Sequence, residues 1–218
     1  MSRRWNVQRE WEGQTCAVLA SGPSMTQEVA DTVRGKCRVI AVNTTFKLAP
    51  WADILYAADR EWWTGYPEAR QFAGRKVSIL GNINSVMEFE ELDYLENGGY
   101  GLIDPRTTHL RTGKNSGYQA VHLAIHLGVK RILLCGFDMK PNNGLEHWHG
   151  DHPEGVRKTM PFEVWVSLFQ QAAPFIRARG VEVINCTPTS ALHCFKTRTL
   201  EDALESILHD KGHAVVSA

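Results

Sequence analysis

The segment LEHWHGDHPEG gathers Glu146, His147, His149, Asp151 and His152 into one short stretch. Imidazole is the side chain that changes charge near neutral pH, so His147 or His149 could act as a general base. Three histidines beside carboxylates could also ligate a transition metal. However, the HxH…H spacing is not the HExxH of a zinc protease and no CxxC pair accompanies it, which argues against a closed structural zinc site. A solvated loop would tolerate the same residues without any function. His122 and His126, on a largely apolar stretch, read as packing or surface residues rather than ligands.

Two further stretches have residue types suited to an anion. In LASGPSM, the residues Ser21, Gly22, Pro23 and Ser24 stand between an apolar run and a helical pattern. The unsatisfied N–H groups and positive dipole of a helix start attract phosphate, although a single glycine satisfies neither the dinucleotide fingerprint nor the Walker motif. In RTGKNSGYQA, Arg111 and Lys114 supply cations, and Asn115, Ser116 and Gly117 lead into a helix. Both stretches are equally compatible with capped turns. Asn43, Asp59 and Asp138 close three apolar runs, and Thr187 and Ser190 follow a fourth. Asp59 is the candidate ligand for Mg²⁺, since hard cations take carboxylate oxygens.

Positioning these residues requires a sheet. Apolar, β-branched runs recur at residues 15–20, 37–43, 53–59, 76–80, 131–138 and 181–185. Most are continuous rather than alternating, as strands buried on both faces of a parallel sheet should be. Helical patterns alternate with them: one opening at Ser24 as a candidate N-cap and closing on Gly35, one before Gly128, and one at residues 162–180 that Pro174 should kink or split. The alternation predicts an α/β fold, a single Rossmann-like three-layer domain with a mostly parallel sheet and its ligand loops at the carboxyl ends of the strands. Residues 1–14 read as an N-terminal extension, 15–196 as the domain and 197–218 as a C-terminal helix and tail. Residues 81–114 and 140–160 read as long polar loops, the second a lid after the strand that ends at Asp138.

Bulk composition narrows the partners. Lys plus Arg and Asp plus Glu both number 24, so no global basic field draws the chain to nucleic acid or an anionic membrane. The five cysteines are odd in number and lie mostly in apolar runs, the pattern of buried thiols in a reducing compartment. No run is long enough to span a bilayer, and a cytoplasmic protein is expected. Self-association into a homo-oligomer stays open.

Taken in order, LASGPSM, AVNTTF, ILYAAD, RTGKNSGYQAVHLAIHLGVKRILLCGFDM, EHWHGDH and INCTPTSAL resemble the bacterial sialyltransferases that use CMP-sialic acid. They are also similar to the related proteins grouped with the 6-hydroxymethylpterin pyrophosphokinases, some of them carried by phages. The resemblance implies a nucleotide-sugar donor held by Ser21, Gly22, Pro23, Ser24, Asn43, Ser116 and Gly117, with Asp138 matching the family's Gly-Ile-Asp. It also implies a general base in the His147–Asp151 segment. Asp59 stands where the sialyltransferases carry Asn, which suits a Mg²⁺-dependent diphosphoryl transfer from ATP. The tyrosines that steady the leaving phosphate in the sialyltransferases have no match between Met139 and His147. Three functions are therefore expected as alternatives: a glycosyltransferase with a CMP-sugar type of donor, a pyrophosphokinase-like enzyme, and a non-catalytic nucleotide binder. The acceptor is not readable from the sequence.

Overall fold

The computed structural model describes residues 3–81, 89–150 and 161–215, with side chains of the last helix described up to Ile207. It is an α/β protein built on a ten-stranded sheet, as the run-and-helix alternation predicts. The six expected runs form β2 (Thr15–Leu19), β3 (Arg38–Val42), β4 (Ile54–Tyr56), β5 (Arg75–Ile79), β8 (Arg131–Cys135) and β9 (Glu182–Asn185). Four further strands join them: β1 (Arg3–Arg4), β6 (Asp93–Tyr100), β7 (His109–Thr112) and β10 (Lys196–Thr197). The order is β1-β6-β5-β4-β3-β2-β8-β9-β10, with β7 beside the second half of β6, and every pairing between these strands is parallel.

Parallel neighbours need crossovers, and the helices that supply them cover both faces. Helices α3 (Ser116–His126) and α4 (Phe162–Ala178) bury Tyr118, Val121, Ile125, Phe169 and Ile176 against Cys16, Val18, Ile40 and Tyr56. On the other face α1 (Gln27–Val33), α2 (Arg60–Gly65) and α5 (Leu200–Val215) bury Ala30, Val33, Trp62, Trp63 and Leu204 against Ala17, Leu19, Val39 and Leu55. Successive side chains of a strand point to opposite faces, so β2 contributes to both cores in alternation. Residues 5–14 lie along the domain: Val7 and Trp11 are buried, and Trp11 N–H donates to the Leu127 carbonyl.

Three local expectations are overturned. Residues 81–114 are not one long loop, because β6 and β7 lie within them. Asn97, Gly98 and Gly99 disfavour a strand by propensity, but the first half of β6 is held by β1 and β5 and this second half by β7, and that tertiary pairing prevails. Ser24 is not the cap of α1. Thr26 is, its Oγ1 accepting from Val29 N–H, because Ser24 is drawn to Asp138 instead. Pro174 does not split α4, which runs through it as one helix of 17 residues. Pro174 is exposed, so the carbonyl it leaves unbonded one turn earlier faces the solvent side.

Candidate functional site

The chain leaves β2 first toward β6 and later, through β8, toward β10, so the direction of winding switches between β2 and β8. Ligands of doubly wound sheets bind at the carboxyl ends of the strands near such a switch. A crevice of about 400 Å³ opens there, within the size range of small-molecule sites. It is lined by Ser21, Gly22 and Pro23 after β2, Asn43 after β3, Asp59 after β4, and Lys114, Asn115, Ser116 and Gly117 at the start of α3. Residues 136–140, Glu146 and His147 after β8, Phe162 and Trp165 of α4, and Asn97 and Tyr100 of β6 also line it.

The turn after β2 is not an open phosphate nest. Gly22 N–H donates to the Gly136 carbonyl (2.9 Å), Ser24 N–H to Asp138 Oδ2 (3.2 Å) and Met25 N–H back to the Gly22 carbonyl (3.0 Å). Ser24 Oγ adds a second bond to Asp138 Oδ2 (2.8 Å), and Ser21 Oγ donates to the Val42 carbonyl (3.2 Å). A Cβ on Gly22 would overlap Asp138 Oδ2 and the Gly136 carbonyl, so the glycine exists for this close approach. The turn is therefore the cross-linked floor of the crevice, with the N–H groups of Gly22, Ser24 and Met25 engaged by protein.

Asp138 belongs to the same clamp: it is buried, and besides Ser24 it accepts from Thr189 Oγ1 (3.4 Å). Thr187 and Ser190, expected to touch a ligand, do not reach the crevice. Thr187 Oγ1 accepts from Phe137 N–H (3.0 Å) and Ser190 Oγ donates to the Phe137 carbonyl (2.6 Å), so both buried hydroxyls satisfy backbone groups beyond β8. Arg111 is also corrected. Its Nε pairs with buried Asp104 (2.9 Å) and its Nη1 donates to the carbonyls of Gly98 and Tyr100, which takes it out of the crevice wall.

The start of α3 faces the crevice. Asn115 is the N-cap, with Oδ1 accepting from Tyr118 N–H (2.9 Å). No described hydrogen bond uses the N–H groups of Ser116 or Gly117, both of which line the crevice at the positive end of an 11-residue helix. A Cβ on Gly117 would come within 2.9 Å of Phe137 Cε1, so glycine lets the helix start seat against the loop after β8. Lys114 is exposed beside it, and Lys140 stands on the rim.

His147 reaches in from the loop after β8. Its Nδ1–H donates to the Ser21 carbonyl (3.3 Å), which fixes the tautomer with the basic lone pair on Nε2. Burial holds its pKa below the ordinary imidazole value, against the opposing pull of the Ser21 carbonyl and the Glu146 charge. A neutral imidazole at pH 7 is the form that accepts a proton. His149 stacks on His147 (5.0 Å, 8° between planes) and does not line the crevice, so it backs the first ring. Asp151 and His152 lie outside the described residues. The buried His122 and His126 are packing residues, bonded to Asp104, Arg111 and His109 rather than to the crevice.

Asp59 lines the crevice on its exposed side, in the N-cap position of α2. Among the described residues no group of three or more His, Cys, Asp or Glu is placed to hold a metal ion. Backbone strain concentrates at the same rim. Of four described non-glycine residues in the left-handed region, Asn43 (φ 50°), Lys114 (φ 54°) and Met139 (φ 54°) line the crevice. Such conformations are costly and gather where a loop must present a ligand contact. Lys140, Tyr100 and Trp165 were not anticipated from the sequence; the glycines around Tyr100 were the available signal for one of them. No helix among the described residues is long and apolar enough to cross a membrane. No family model matches the chain, and no curated protein and no solved structure is found to be similar to it.

Proposed function

We propose that the protein is a nucleotide-dependent transferase that moves a glycosyl group from a nucleotide-sugar donor of the CMP type to an acceptor hydroxyl. The observation that carries the reading is the meeting, in one crevice, of the α3 N-terminus and Lys114 with the neutral imidazole of His147. The helix start and the ammonium suit the donor phosphate, and Asn43 stands beside them. His147 Nε2 takes the acceptor proton as the acceptor oxygen bonds to the anomeric carbon. The bond from that carbon to the phosphate oxygen breaks, and the phosphate leaves with the electron pair. Charge develops on the phosphate as it departs, where the helix dipole and Lys114 stabilise it most.

A Mg²⁺-dependent diphosphoryl transfer is favoured only by Asp59 in the crevice wall. Asp138, the second ligand it would recruit, is held by Ser24 and Thr189. The test is a thermal-shift panel with CMP, CDP, UDP, GDP and ATP, each with and without Mg²⁺, since a ligand of the native state raises its apparent stability. The expected result is a shift with a cytidine nucleotide that survives chelation by EDTA. A shift confined to ATP with Mg²⁺ would move the reading to diphosphoryl transfer, and no shift at all would refute both. A cytidine sugar recovered uncleaved after long incubation with acceptors would leave a binding protein.

A further inference from the structure

Tyr100 has the most exposed large hydrophobic side chain among the described residues, at 65%, and it stands on the rim of the crevice. Glycines surround it, and Gly99 (φ 77°) and Gly101 (φ 122°) hold conformations that a side chain would strain. The ladder between β6 and β7 shifts register between Asn97 and Tyr100, an irregularity that re-aims the side chains there while Tyr100 itself stays paired with Thr112.

The segment is nonetheless fixed. Arg111 Nη1 donates to the carbonyls of Gly98 and Tyr100, and Tyr118 Oη donates to the Gly101 carbonyl (3.0 Å). Arg111 is in turn anchored by buried Asp104, which also pairs with Arg106 (2.8 Å). Three carbonyls tied down around one outward ring describe a rigid mount. The ring adds nothing to the core, and its face lies over Lys114 Nζ, 5.2 Å from the centroid.

We infer that Tyr100 is the stacking platform for the planar base of the bound nucleotide. This rests on the nucleotide reading of the crevice and adds the subsite that reads the base. One face of the ring carries the Lys114 ammonium, and the ring surface left exposed is what a heteroaromatic base would stack on, at the rim where α3 begins. Stacking on a rigidly held aromatic is a large, sequence-tolerant share of nucleotide affinity, so the platform sets how tightly a base is held more than which base.

The experiment titrates CMP, UMP, GMP and AMP calorimetrically against the wild type and the variants Y100F, Y100W, Y100L and Y100A, with the thermal midpoint of each checked first. Because the side chain is exposed, these variants should fold as the wild type does. Phe and Trp should retain affinity within about twofold, whereas Leu and Ala should weaken the preferred nucleotide about tenfold or more. The loss on Y100A should persist in a K114M background. Leu binding as well as Phe would overturn the platform, as would a loss that vanishes in K114M, because the ring would then act only through the ammonium. A wild type that binds none of the four nucleotides would instead bring down the nucleotide reading itself, and the platform with it.

Discussion

Ser24 Oγ and N–H both donate to Asp138 Oδ2 across 114 positions of chain, and the crevice floor depends on that bond pair. Removing the hydroxyl in Ser24→Ala should cost about 1.5 to 3 kcal/mol, the usual worth of a hydrogen bond to a carboxylate. Asp138→Ala should cost roughly 2 to 4 kcal/mol, because it removes the acceptor of both Ser24 bonds and opens a void at a buried position. Urea unfolding measures both, and equal stability of Asp138→Ala and wild type would contradict the clamp. Residue types alone could not separate these roles. A hydroxyl or carboxylate at a strand end bonds either a ligand or the neighbouring backbone, and burial decides which. The sequence exposes the position of Asp138, Thr187 and Ser190 but not the direction in which their oxygens point. Lys114 and His147 were singled out because their residue types suit an anion and a proton, but the same criterion also selected His149, which stacks behind His147, and passed over Lys140.

At the scale of elements, α3 does the most to define the site. Its cap is separable from its charge. Asn115→Ala should lower stability by about 1 kcal/mol by releasing Tyr118 N–H. Asn115→Asp keeps the cap and complements the helix dipole, so stability should hold, yet it sets a carboxylate where the donor phosphate would lie. Nucleotide affinity should fall at least several-fold in that variant, and calorimetric titration beside thermal unfolding checks the split. Retained affinity in Asn115→Asp would move the phosphate away from this helix. The cap and the apolar face of α3 were readable from NSGYQAVHLAIHLG because helical periodicity and cap chemistry are local. Strands β6 and β7 were not, since a run containing Asn-Gly-Gly becomes a strand only through tertiary pairing, here of residues 96–100 with β7.

Across the whole molecule, acid sensitivity should originate chiefly in the buried histidines of α3. His122 is fully buried, and its Nδ1 accepts from Arg111 N–H (3.1 Å) while Nε2–H donates to the Asp104 carbonyl (3.2 Å). Burial first, then the neighbouring His126, pushes its pKa down to about 3, and a proton on Nδ1 would face an N–H donor. His126 is lowered too, chiefly by burial. The unfolded imidazole keeps its ordinary value near 6.5, so between pH 6.5 and 3 the unfolded state binds the extra proton and stability falls as pH falls. His122 alone should remove about 2 kcal/mol between pH 7 and pH 5. The carboxyl of Asp104, held low chiefly by its Arg106 bonds, adds its loss only at more acid pH. His122→Gln can keep both bonds without binding a proton, so its urea midpoints at pH 7 and pH 5 should lie closer together than those of the wild type. An unchanged gap would place the acid sensitivity elsewhere.

The pairing of β2 with β8 has a kinetic consequence. Thr15 and Leu19 lie beside Arg131 and Cys135, so the centre of the sheet joins strands from opposite halves of the chain. Contacts so distant in sequence form late, after the entropy of closing a long loop has been overcome. The bonds from Gly22 to Gly136 and from Ser24 to Asp138 lie just beyond that pairing and form with it. During synthesis, therefore, the protein can acquire β2 to β5 and their helices while having no floor on which a ligand could rest. The crevice is complete only when the second half of the chain docks.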